Sequence, residues 1–135
     1  MSRFLTSAAL CATLAFPVAA QALPPINKEP QVYAMFYALG LADEVRKNCP
    51  TISPRMIRAF TYLKSIESYA RKVGYTETQI RDLAENKAEK EKLRAIIRAD
   101  LAKRGAKSGS PEGFCQVGRE EIAKNSASGR LLKEN

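Results

Sequence analysis

The side chains best placed by type to do chemistry are two cysteines: Cys49 in the stretch "NCPTISPRM" and Cys115 in "GFCQVGREE". A third, Cys11, lies in an apolar run near the start, and the 135 residues contain no histidine. That absence removes Cys/His zinc sites, Cys–His nucleophile pairs and Ser-His-Asp arrangements together. No C-x-x-C spacing occurs, so a thioredoxin-like dithiol is unsupported. Cys49 is then a reactive thiol, a metal ligand or half of a covalent staple, and the choice depends on the compartment.

The first residues speak to the compartment. Met1-Ser2-Arg3 is a short basic start, "FLTSAALCATLAF" is uncharged and apolar, and "PVAAQA" after it offers small residues at −3 and −1. This is the order of a secretory signal peptide, with cleavage expected after Ala20 or Ala22. The run is shorter than the roughly 20 apolar residues of a membrane span. "AAL" before Cys11 is not a lipobox pattern. Residues 1–22 therefore read as a leader and 23–135 as one small domain, periplasmic or secreted. Two cysteines then remain, and an even count in an exported chain reads as a disulfide between Cys49 and Cys115. Closing so long a loop is worth about 4 kcal/mol in the chain-entropy model.

Other constellations are weaker. Asp43-Glu44 and Glu120-Glu121 are adjacent carboxylates, which diverge by about 100° on a helix and share no site; the second pair reads as a solvated turn. "GAKSGS" lacks the spacing of a phosphate loop. No catalytic site with named roles can be assembled, so the expectation is a non-enzyme without cofactor, metal or evident small-molecule substrate. The formal charge is +8, or +7 once Arg3 leaves with the leader. Lys87, Lys90, Arg94 and Arg98 form a row at helical steps that could make weak contact with anionic lipid, although interleaved glutamates point to a solvated face. No aromatic platform accompanies the row, and nucleic acid is not expected outside the cytoplasm. Tyrosines rim cores and also enrich binding surfaces. Tyr33, Tyr37 and Gly40 on the first helix are the candidate surface for an unidentified envelope protein.

These residues need elements to position them. After the proline-punctuated "ALPPINKEP", apolar residues at Val32, Met35, Phe36, Leu39, Ala42 and Val45 predict a helix over 31–48, stopped by Pro50. Ser53 and Pro54 read as N-cap and first turn of a second helix. Its stripe of Met56, Ile57, Phe60, Leu63, Ile66, Ala70 and Val73 should face the core, and Gly74 should end it. Thr76 with Gln79 is a capping box, and Tyr75 with Ile80 fits a hydrophobic staple. The face of Leu93, Ile97 and Leu101 runs upstream into Asn86 and Glu89, so one straight helix does not fit. A break near Asn86 gives helices over 77–85 and 87–104. Residues 105–113 read as a flexible loop, and Ser110-Pro111 starts a last helix ending near Asn125. The tail 126–135 carries Leu131 and Leu132, which either dock or fray. No strand-like alternation is visible. The fold class is all-α, a small bundle of four to five helices with one disulfide.

The blocks "YALGLADEVRKNCPTISPRM", "SYARKVGYT" and "GFCQVGREEIA" resemble a family of small exported bacterial proteins known only as a domain of unknown function. N-C-P and G-[FY]-C around the cysteines are the most specific parts. The resemblance implies a helical domain with one disulfide and no assigned chemistry. It also implies, for some members, proximity to respiratory NADH dehydrogenase genes. An iron–sulfur subunit needs about four thiolates, so an accessory role is all that this supports. The leading expectation is a non-enzymatic interaction protein. The alternatives are that accessory role, a peripheral binder of anionic membrane, or an acid- or envelope-stress chaperone switching through carboxylates below roughly pH 5.

Overall fold

The computed structural model describes residues 21–135; residues 1–20 of the expected leader, with Cys11, fall outside the described residues. Five helices carry the fold: α1 (Pro30–Asn48), α2 (Met56–Val73), α3 (Glu77–Glu85), α4 (Lys87–Lys103) and α5 (Pro111–Ala123). A short 3-10 turn, Ile26–Lys28, precedes α1. The helix starts follow the capping chemistry. Glu29 accepts from Val32 N–H at the head of α1, which has Pro30 in its first turn. Thr76 and Gln79 form the expected capping box on α3. Asn86 interrupts the ladder, ending α3 and capping α4 by accepting from Glu89 N–H. Gly74, at φ 118°, ends α2 in the left-handed conformation that a side chain would oppose.

The disulfide joins Cys49, the residue capping the end of α1, to Cys115 in α5, at a sequence separation of 66. Both cysteines are buried, and Thr51 Oγ1 lies 3.3 Å from Cys49 Sγ. Around the bond sits the larger core, built by Leu41, Val45, Ile97, Leu101, Phe114, Val117 and neighbours. Helix α1 runs through the middle, packing on α5, α4 and α2. It meets α4 at Gly40, where an added Cβ would come within 2.5 Å of Ile97 Cδ1 and force that side chain to shift.

Three expectations need correction. Ser53 and Pro54 do not open α2; they belong to a strand, β1 (Ile52–Pro54), which pairs antiparallel with β2 (Leu132–Glu134). The helix begins at Met56, and Ser53 Oγ bonds Asn135 instead of capping. The reason is tertiary. The tail docks through a 3-10 turn, Gly129–Leu131, that buries Leu131 and Leu132, and its carbonyls then bind Arg55: Leu131 O accepts from Arg55 N–H at 2.7 Å and Leu132 O from Arg55 Nε at 2.9 Å. Such pairing holds 52–54 extended, and the tail is not frayed. Second, the front half of α2 is not core. Met56, Ile57 and Phe60 are 68%, 84% and 63% exposed, and burial begins only at Ile66 and Ala70. Third, Glu120 and Glu121 are no solvated turn. Both pair with Arg104, which ties the end of α4 to α5.

Candidate functional site

Between α1 and α4, and lined also by α2 and α3, lies a groove of about 670 Å³ that is open to solvent. Its walls are largely apolar: Tyr33, Phe36 and Leu39 from α1, and Leu93, Ile96 and Ile97 from α4, with Leu63 of α2 and Leu83 of α3. The local sequence makes it. On α1, apolar residues occupy more of the cylinder than one neighbour can cover, and on α4 Ile96 beside Ile97 puts branched aliphatic groups on two faces. Ile97 is buried against Gly40, while Ile96, on the adjoining arc, is 45% exposed. A second, far smaller space of about 30 Å³ adjoins it between α2 and α3, sharing Val32, Phe36, Leu63 and Leu83.

Charged side chains ring the groove. Asp43 is bound by Arg46 and Lys47. Partial burial pushes its carboxyl up, but the bonds from Lys47 and Arg46 outweigh this and hold it below the usual range. Glu89 accepts from Lys92 Nζ at 2.8 Å and from Asn27 at 2.9 Å, and those two bonds also lower its pKa. The anions at the rim are thus each held by protein donors. Lys90 lines the groove with no ion pair among the described residues.

The predicted basic row is split by the fold. Arg94 and Arg98 turn onto Glu44, a buried carboxylate of α1, with Arg98 Nε at 3.2 Å and Arg94 Nε at 3.6 Å; both also reach Glu91. Within that row, only Lys87 and Lys90 have no ion pair among the described residues. Of the candidate partner surface, Tyr33 and Gly40 line the groove. Tyr37 does not, because its hydroxyl donates to Asp100 Oδ2 at 2.8 Å. Burial, and then that bond, push its pKa up to about 12. The same bond, with help from Lys103, lowers Asp100.

Sequence reasoning missed Glu44 as a buried anion and missed the groove. A signal for the first existed: Glu44 is flanked by Leu41, Ala42 and Val45, all buried, so its position points inward. Among the described residues no group of three or more Cys, Asp or Glu could hold a metal, and no buried polar side chain lacks a partner. No described helix is long and apolar enough to cross a membrane. The groove can receive an apolar body, and the Lys90 side chain stands on the same lining.

No curated protein and no solved structure matches the chain. A family of unknown function, DUF5333, matches residues 24–133, which take in all five helices and both cysteines. The chain belongs to the DUF5333 family.

Proposed function

We propose that this is a non-enzymatic interaction protein of an oxidising envelope compartment, presenting the front half of α2 to a protein partner. One observation carries the reading: Met56, Ile57 and Phe60 are large apolar side chains left in water at the start of a well-formed helix. Adjacent exposed apolar groups of this size mark interaction surfaces. Arg55, Arg58 and Lys64 neighbour them along the chain, and Lys64 Nζ stands 5.7 Å from the centre of the Phe60 ring. An apolar centre with a basic rim suits a partner surface of apolar centre and acidic rim. The disulfide fits export, because such bonds persist in oxidising compartments.

The test is photocrosslinking from position 57 or 60 in the native envelope. We expect one dominant adduct, lost in a Phe60→Glu variant that keeps its far-UV spectrum and urea midpoint. A folded protein that yields no adduct would overturn the reading.

A further inference from the structure

We propose that the groove between α1 and α4 takes the hydrocarbon tail of a single-tailed anionic amphiphile, a fatty acid being the simplest, with the carboxylate at Lys90. The inference is independent of the α2 surface, which lies outside the groove apart from Leu63.

Shape argues for a small ligand with a chain. The volume of about 670 Å³ falls within the roughly 300–1,000 Å³ typical of small-molecule sites. The adjoining space between α2 and α3 measures only about 30 Å³ and is walled by Val32, Phe36, Leu63 and Leu83. A helix of about 10 Å diameter cannot enter it. The end of a polymethylene chain can, and a lining that is apolar apart from Glu67 favours one over water.

Charge selects the head group. The carboxylates on the groove, Asp43 and Glu89, are already held by Lys47, Arg46, Lys92 and Asn27. Lys90 has no carboxylate partner among the described residues and stands on the same lining as Leu93 and Ile97, one turn or two further along α4. An ammonium group at the edge of an apolar wall attracts a ligand whose anion sits at the end of its apolar part. Two-tailed lipid in a bilayer would have to leave the membrane to use this site, whereas a single-tailed monomer needs only to diffuse to it.

The test is calorimetric titration of the purified protein, disulfide intact, with octanoate, decanoate and laurate below their micelle concentrations. We expect saturable one-to-one binding that tightens with chain length, by up to about fourfold per added methylene. Ile96→Asp and Tyr33→Glu change exposed positions and should keep the fold, judged by the urea midpoint, while weakening laurate at least tenfold. Lys90→Glu should weaken laurate several-fold and leave 1-dodecanol unchanged. The proposal is overturned if the folded protein shows no saturable binding, or if Ile96→Asp binds laurate as the parent does. It is equally overturned if binding appears only with phosphatidylglycerol vesicles, or if the groove proves to be covered by a second copy that Ile96→Asp dissociates. Phe60→Glu should leave laurate binding unchanged, which separates failure here from failure of the α2 reading.

Discussion

The two ends of α1 face different interiors. Its C-terminal half belongs to a core of thirteen buried residues that includes the disulfide, whereas its N-terminal half meets a cluster of only four: Val32, Ile66, Ala70 and Tyr75. At the first end every layer is closed: α5 covers α1, and the docked tail seals the side with Leu131 and Leu132. At the second end half-buried side chains do much of the packing, and the groove runs along the seam between the clusters, touching Val32 of one and Ile97 of the other. Close packing and an accommodating site compete for the same side chains. This chain places stability at one end and leaves apolar surface open at the other.

The sharpest way to break that contrast is to remove the covalent link. A Cys49→Ala/Cys115→Ala variant should lose about 4 kcal/mol of stability, since the bond spans 66 residues; urea unfolding of the variant against the oxidised parent measures it. Next in size, Leu101→Ala in the closed core should cost about 3 kcal/mol by loss of burial and creation of a cavity, read from the same transitions.

Acid should loosen the molecule unevenly. Glu77 is held low by its bond to Arg71, Glu89 by Lys92 and Asn27, Asp100 by Tyr37 and Lys103, and Glu120 by Arg104; Asp43 is low because Lys47 and Arg46 outweigh its burial. Each is more acidic folded than unfolded, so the unfolded chain takes up more protons as pH falls. Their stabilisation is complete above the ordinary carboxylate range and is lost from about pH 5 downward, towards the depressed values. The urea midpoint should be flat near neutrality and drop in that window. Protection against hydrogen exchange at pH 4, taken relative to the intrinsic rate, should fall in α3 and the start of α4 before α5.

Tyr37 gives the alkaline counterpart. With its folded pKa raised to about 12, its contribution is complete below about pH 10 and fades as pH climbs from 10 to 12. Tyr37→Phe should cost about 1 kcal/mol at neutral pH, as one hydrogen bond to a carboxylate is lost, and should remove the highest step of an absorbance titration at 295 nm. The smallest effect should come from Leu63→Ala at the groove, below about 1 kcal/mol, because the side chain is still 39% exposed. A loss as large as that of Leu101→Ala would mean that the groove is as tightly packed as the closed core.

Much of the fold was legible because its signals are local. Thr76, Gln79, Asn86 and Gly74 act on backbone groups a few residues away, so the starts, stops and break of the helices follow from neighbours in the chain. The staple between Cys49 and Cys115 was legible for another reason: with Cys11 assigned to the expected leader, two cysteines are left and pairing has one solution. The site was less legible. Tyr33, Gly40, Lys90 and Arg94 were singled out and do line the groove, but Tyr37 turns to Asp100, and Arg94, like Arg98, is paired with Glu44. None of those pairings is near in sequence.

Ser53-Pro54 shows where local signals lose. By themselves they satisfy the rules for opening a helix, yet a strand forms there because Leu132–Glu134 returns from the far end of the chain to pair with it. The stripe from Met56 to Leu63 shows the same limit for burial. Periodicity says that one helix face is apolar, and only the placement of neighbouring helices says whether anything covers it. The sequence by itself determined most of the helical segments, through short-range backbone chemistry, and, with Cys11 assigned to the expected leader, which two sulfurs can join. Tertiary structure alone decided what is covered, which charges are neutralised and where the groove opens, because these depend on distances between residues that the chain brings together only on folding.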